Sequence, residues 1–135
     1  MRDNDAERDR LNRLSNVIIG AALDVHRELG PGMLESAYKT SLASELTQRG
    51  LTIEREKPMS QIYKGRSLDR AYRVDFIVER SVVIEVKAVD RLIPVHGAQL
   101  LSYLKHLDLR LGLLINFRVK WLRDGIVRKV NRFPD

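Results

Sequence analysis

Two short runs, Tyr72–Val78 (YRVDFIV) and Ser81–Lys87 (SVVIEVK), decide how the rest of this chain reads. Both are apolar, rich in β-branched residues and too short for helices, so both predict strands. The polar connection Glu79-Arg80-Ser81 is short enough to join them as a hairpin. Each run nevertheless carries charge where a strand buries its side chains. Strand alternation puts Glu85 and Lys87 on one face and Val82, Ile84 and Val86 on the other. Asp75 sits inside the neighbouring run, between Val74 and Phe76. If the two strands pair, two carboxylates and one ammonium converge. Burying two acids unpaired costs several kcal/mol. A divalent cation between them relieves the repulsion, because hard cations prefer carboxylate oxygen. The constellation points to metal-assisted phosphodiester chemistry.

Downstream of Asp90 a helix is predicted from Pro94 to about His106, with Leu100, Leu101, Leu104 and Leu107 on its buried side. Leu109–Phe117 (LRLGLLINF) is a continuous apolar run, the mark of a strand covered on both faces. Strand, crossover helix and strand make a parallel βαβ unit. Trp121–Asn131 predicts a last turn and strand around Asp124-Gly125. Upstream, apolar residues at helical spacing predict one helix over about 5–29, ended by Gly30-Pro31-Gly32. A second runs over about 34–49, with Gly50 as its C′ residue. Leu51–Tyr63 reads as extended and broken around Pro58, and Lys64-Gly65 as a turn. The reading is a single α/β domain over 1–135: an N-terminal helix, a core of about 30–117 and a basic segment over 118–135.

The 135 residues are 44% hydrophobic and 31% charged, which excludes disordered and membrane-embedded classes. No apolar run approaches the ~20 residues of a membrane span. The charged start, MRDNDAERDRLNR, lacks the apolar region of a secretory signal. There is no cysteine, so disulfides, thiolate zinc sites and cysteine nucleophiles are excluded. This fits a cytoplasmic location. His26, His96 and His106 match no zinc spacing, and His26 reads as a core or capping residue. The net charge of +6 favours a polyanionic partner such as nucleic acid. Arg118, Lys120, Arg123, Arg128, Lys129 and Arg132 stand against Asp124 alone and make a candidate phosphate-binding edge. They are equally readable as solvated surface.

Besides Lys87, four polar residues lie on otherwise apolar elements: Glu35, Asp75, Glu85 and Gln99, the last with Tyr103 one turn further on. Each has a plainer reading. Glu35 near a helix N-terminus suits the macrodipole. Asp75 could pair with Arg73 or Lys87. Glu85 and Lys87 could be the exposed face of an edge strand, and Gln99 and Tyr103 a helix's solvent boundary.

Together these residues carry a resemblance. Asp75, then Glu85-Val86-Lys87, then a helix bearing Gln99 resembles the PD-(D/E)XK nuclease superfamily. Gly32–Tyr38 (GMLESAY) matches the GxxExxY signature of small bacterial proteins placed in it. The likeness runs from about His26 to Phe117. It departs from the superfamily pattern in having Val74 where a proline nominally precedes the aspartate. It implies a restriction-endonuclease-like three-layer fold, a central mixed sheet flanked by helices. It implies that Asp75, Glu85 and the Val86 main-chain carbonyl hold Mg²⁺ or Mn²⁺, with Glu35 as a further carboxylate. Lys87 would activate water or stabilise charge on the phosphate, and Gln99 would position Lys87 or a phosphate. Tyr38 and Tyr103 would support the site from behind. The function implied is metal-dependent hydrolysis of nucleic acid, DNA rather than RNA. Apart from the resemblance, a small nuclease that cuts two strands needs two sites, which makes a homodimer an expectation, and the lack of a long apolar run leaves no membrane partner expected. A non-catalytic nucleic-acid-binding or protein-interaction module that retains the fold stands as the alternative.

Overall fold

The computed structural model describes residues 2–135, with the side chains of residue 2 and residues 69–71 outside the description. Helix α1 (Arg2–Leu29) buries Leu11, Leu14, Ile18, Ala21, Ala22 and Val25 along one stripe. It starts earlier than its apolar spacing indicates, because Asp3 and Asp5 suit its N-terminal dipole and Glu7 pairs with Arg10. Helix α2 (Glu35–Gln48) packs Tyr38, Leu42, Ala43 and Leu46 inward. It ends as expected at Gly50, whose φ of 81° lets its N–H reach Thr47 while Leu51 reaches back to Leu46.

The strands are β1 (Ile53–Tyr63), β2 (Arg66–Val78), β3 (Val82–Lys87), β4 (Leu111–Asn116) and β5 (Ile126–Val130). Helix α3 (Pro94–Leu107) carries the chain from β3 to β4. The sheet order is β1-β2-β3-β4-β5, antiparallel throughout except for the parallel β3–β4 pair. The expected mixed sheet with helices on both faces is therefore present. Val82, Ile84 and Val86 pack with α1 and α2, while Val83 packs with Leu100, Tyr103 and Leu104 of α3.

Two boundaries differ from the sequence reading. β1 runs unbroken through Pro58, which an edge strand tolerates because its missing N–H can face outward. β2 begins at Arg66 rather than Tyr72, so β1 and β2 form a long ribbon closed by Lys64-Gly65. Both turn residues have positive φ, the type I′ geometry of tight hairpins. After β4, the 3₁₀ turn Leu122–Gly125 folds back onto the strand end. A Cβ on Gly125 would stand 2.2 Å from the Asn116 carbonyl oxygen, so only glycine fits there.

Candidate active site

The β2–β3 ladder stops at Phe76–Ile84. Beyond it, two carboxylates replace backbone partners. The Val86 N–H donates to Asp75 Oδ2 at 2.8 Å, and the Asp75 N–H donates to Glu85 Oε1 at 3.2 Å. Each acid is thus tied to the other's strand. Both are 6% exposed, and β3 is the middle strand, so the exposed-edge reading of Glu85 is overturned. Burial, and then the charge of Asp75, push the Glu85 carboxyl up to about 8. The nearby Lys87 ammonium works in the opposite direction.

The cation paired with Asp75 is neither Arg73 nor Lys87 but Lys39. Its Nζ lies 2.9 Å from Asp75 Oδ1, 3.0 Å from Glu35 Oε2 and 3.6 Å from Glu56 Oε1. Burial acts against the Lys39 charge, yet hydrogen bonds to Asp75 and Glu35 outweigh it and raise its pKa. Glu35 therefore joins the cluster through Lys39. Glu56 comes from β1, between the Arg55–Phe76 and Lys57–Val74 pairs, where it takes a φ of 51°. Sequence reasoning passed over Lys39 and Glu56. The Glu35/Lys39 spacing of i,i+4 is a signal that could have found the lysine. An acid in an irregular edge strand gives none.

Tyr103 closes the α3 side. It is buried and stacks on Tyr72, ring centroids 4.9 Å apart. Burial first, and Glu85 next, raise its phenol to about 12, while a hydrogen bond from exposed Gln99 opposes the shift. Gln99 thus addresses Tyr103. Tyr38 lies elsewhere, stacked on Phe117 at 4.6 Å. Its hydroxyl donates to the Gly30 carbonyl at 2.5 Å and accepts from the Met33 N–H at 3.0 Å. It fixes the loop that launches α2, and with it Glu35 and Lys39. Asn116, buried beside Lys87 in the β3–β4 register, brackets Val89 with hydrogen bonds to both its N–H and its carbonyl. That holds the segment leaving Lys87. His26 bonds the Val119 carbonyl at 2.8 Å.

The C-terminal basic residues are not gathered on one surface. Arg118 pairs with Asp90, and Arg132 with Asp108. Arg128 reaches Asn12 on α1, whereas the Lys129 side chain lies against Gly97 on α3. Alternation along β5 therefore sends these two to opposite faces. Lys120 covers Trp121, and Arg123 is exposed.

Among the described residues, no three acidic or histidine side chains form a ready metal cage. The Asp75–Glu85 pair nevertheless suits a hard cation. It offers buried oxygen donors, and burial first, with the Asp75 charge second, makes an ionised Glu85 costly in a way that a bound cation would relieve.

A family model described as the PD-(D/E)XK nuclease superfamily matches residues 12–129. No curated protein matches. Among solved structures, the crystal structure of SSO0001 is similar, with a TM-score of 0.53 and 23% identity, over 95% of this chain. The match covers 63% of that chain, so this sequence spans less than two thirds of its length.

Proposed function

The chain belongs to the PD-(D/E)XK nuclease superfamily, and from that premise we propose that it hydrolyses phosphodiester bonds in nucleic acid, DNA in preference to RNA, using Mg²⁺ or Mn²⁺. The observation that carries this reading is the carboxylate pair at the opening between β2 and β3, with the Lys87 ammonium beside it. Asp75 and Glu85 would hold the cation, with the Val86 carbonyl and Glu35 as further donors. Bound there, the cation supplies Lewis-acid polarisation and neutralises phosphate charge. Lys87 shares the strand face of Glu85 and stabilises negative charge developing on the phosphate. Tyr103 walls the α3 side and keeps Glu85 dry, and Gln99 orients the Tyr103 phenol. Tyr38 sets the position of Glu35. Arg118, Lys120, Arg123, Arg128, Lys129 and Arg132 would contribute to phosphate binding as separate contacts. The reading places the enzyme in the cytoplasm. A homodimer would provide one site for each strand of a duplex.

The test is Mn²⁺-dependent cleavage of labelled DNA and RNA by wild type and Lys87→Ala, purified identically, with melting temperatures measured alongside. The expected result is a loss of about a hundredfold in rate for the variant, the worth of one well-placed donor, with the melting temperature held. Equal cleavage by both proteins would overturn the role of Lys87 and indicate a contaminant.

One observation favours a second reading, a non-catalytic module. Lys39 already neutralises Asp75 at 2.9 Å, as in a structural ion pair. In that case Mn²⁺ would leave the melting temperature of the wild type unchanged.

A further inference from the structure

The β1–β2 ribbon extends well past the sheet. β2 pairs with β3 only over Phe76–Val78, and before that it pairs with β1 alone. Met59 is the last buried residue of β1, and residues 60–68 are all exposed with no alternation between faces. No core accounts for this tip, and an isolated two-stranded hairpin is marginally stable in water. At ~3.3 Å per residue, the ribbon projects about 15 Å beyond Met59. Its composition is one-sided. Residues 60–73 contain Lys64, Arg66, Arg70 and Arg73 against Asp69, a net of +3 and half the charge of the whole chain. Ile62, Tyr63 and Leu68 are 60%, 53% and 44% exposed, with the Lys64 ammonium 5.4 Å from the Tyr63 ring centroid. The C-terminal cations, by contrast, are drawn apart and partly paired. Register shifts at Met59/Ser60 and Ser60/Gln61 add the local twist typical of bulges.

We propose that the β1–β2 ribbon beyond Met59 enters the major groove of duplex DNA lying across the carboxylate pair. Resting on the nuclease reading, this names the class of its substrate. A two-stranded ribbon fits the B-form major groove, about 12 Å wide and 8.5 Å deep. The major groove of A-form RNA is too narrow for it. Lys64 and Arg66 meet the flanking phosphates, and Leu68, which the register sets on the same ribbon face as Gln61 and Tyr63, offers apolar contact to thymine methyls. The ribbon tip stands up to about 30 Å from Asp75 along β2, close to one turn of duplex.

Binding is measured by fluorescence anisotropy in EDTA, so that no cleavage is required. The probes are a 30-base-pair DNA duplex, the same duplex with glucosylated 5-hydroxymethylcytosine filling its major groove, its single strand, and an RNA duplex of equal length. Wild type is compared with the double variant Lys64→Glu/Arg66→Glu. Both side chains are exposed, so the melting temperature is expected to hold and reports any loss of fold. The variant should bind the plain duplex at least tenfold more weakly. Its log K against log salt should be shallower by about 1.8, or ~0.9 for each phosphate that is no longer neutralised. The glucosylated and RNA duplexes should bind wild type as weakly as the variant binds plain DNA. Unchanged DNA binding by the variant, equal binding of RNA or glucosylated DNA, or no duplex binding by wild type would each overturn the proposal. Failure of the nuclease reading shows separately, as duplex binding without cleavage when Mn²⁺ is added.

Discussion

Lys39 holds Asp75, Glu35 and Glu56 together, and its side chain is 17% exposed against 8% for Asp75. Removing one partner of such a pair leaves a buried charge uncompensated, which costs about 3–5 kcal/mol when burial is complete. The residual exposure of Lys39 lowers this. Lys39→Met should therefore destabilise the metal-free protein by about 2 kcal/mol in urea unfolding. The same change should tighten Mn²⁺ binding in calorimetric titration, because the cation no longer competes with an ammonium for Asp75 Oδ1. Unaltered Mn²⁺ affinity would mean that Lys39 and the metal do not share the aspartate. Glu85 supplies a pH test. Its carboxyl sits near 8 in the fold, against an ordinary 4.5. The folded state therefore binds this proton more tightly than the unfolded chain does. The stability so gained is full below about 4.5 and is lost as pH rises through about 8. In EDTA the melting temperature should fall from about pH 5 to pH 8.5, and Glu85→Gln should flatten that slope. Asp75, Glu85 and Lys87 were legible in the sequence because charge inside an apolar strand is conspicuous. Lys39 was not, because a lysine on an amphipathic helix reads as solvated surface until the fold sets it against Asp75.

At the scale of elements, the sequence marked β3, β4 and α3 well, since buried β-branched runs and a leucine stripe are strong signals. It understated β2. Residues 66–68 are exposed on a ribbon that pairs with β1 alone, so no core imposes the period of two from which a strand is read. The proline in β1 misled for a related reason. Edge strands escape the hydrogen-bonding requirement that excludes proline from sheet centres. The GxxExxY segment carries two tasks in one helical turn. Glu35 faces Lys39, and Tyr38 anchors the incoming loop at Gly30 and Met33. Tyr38→Phe keeps the ring stack on Phe117 and deletes only the hydroxyl. It should lower stability by about 1–2 kcal/mol through the orphaned loop groups, and it should reduce cleavage by letting α2 shift. Wild-type melting temperature in that variant would show that the loop is held by other means.

Over the whole molecule, helices from both faces of the sheet meet at the same opening. α2 delivers Lys39 from one side and α3 delivers Tyr103 from the other. The net charge of +6 was plain from composition, but its distribution was not. A linear cluster over 118–132 loses its coherence once β5 alternates. The hairpin that joins the two acids is local, with Asp75 and Glu85 ten positions apart, whereas Lys39 lies 36 positions upstream of Asp75. Hairpins close in microseconds, and pairings distant in sequence form later. This order predicts that the acids meet before their counter-ion docks and that the Lys39 ion pair forms on the late, native side of the folding barrier. Lys39→Met should leave the refolding rate in stopped-flow experiments almost unchanged and place nearly all of its destabilisation in faster unfolding. Slower refolding would put α2 in the nucleus instead. The ammonium acts as a latch on the finished molecule: without it the chain reaches its native state at the same pace and leaves it sooner.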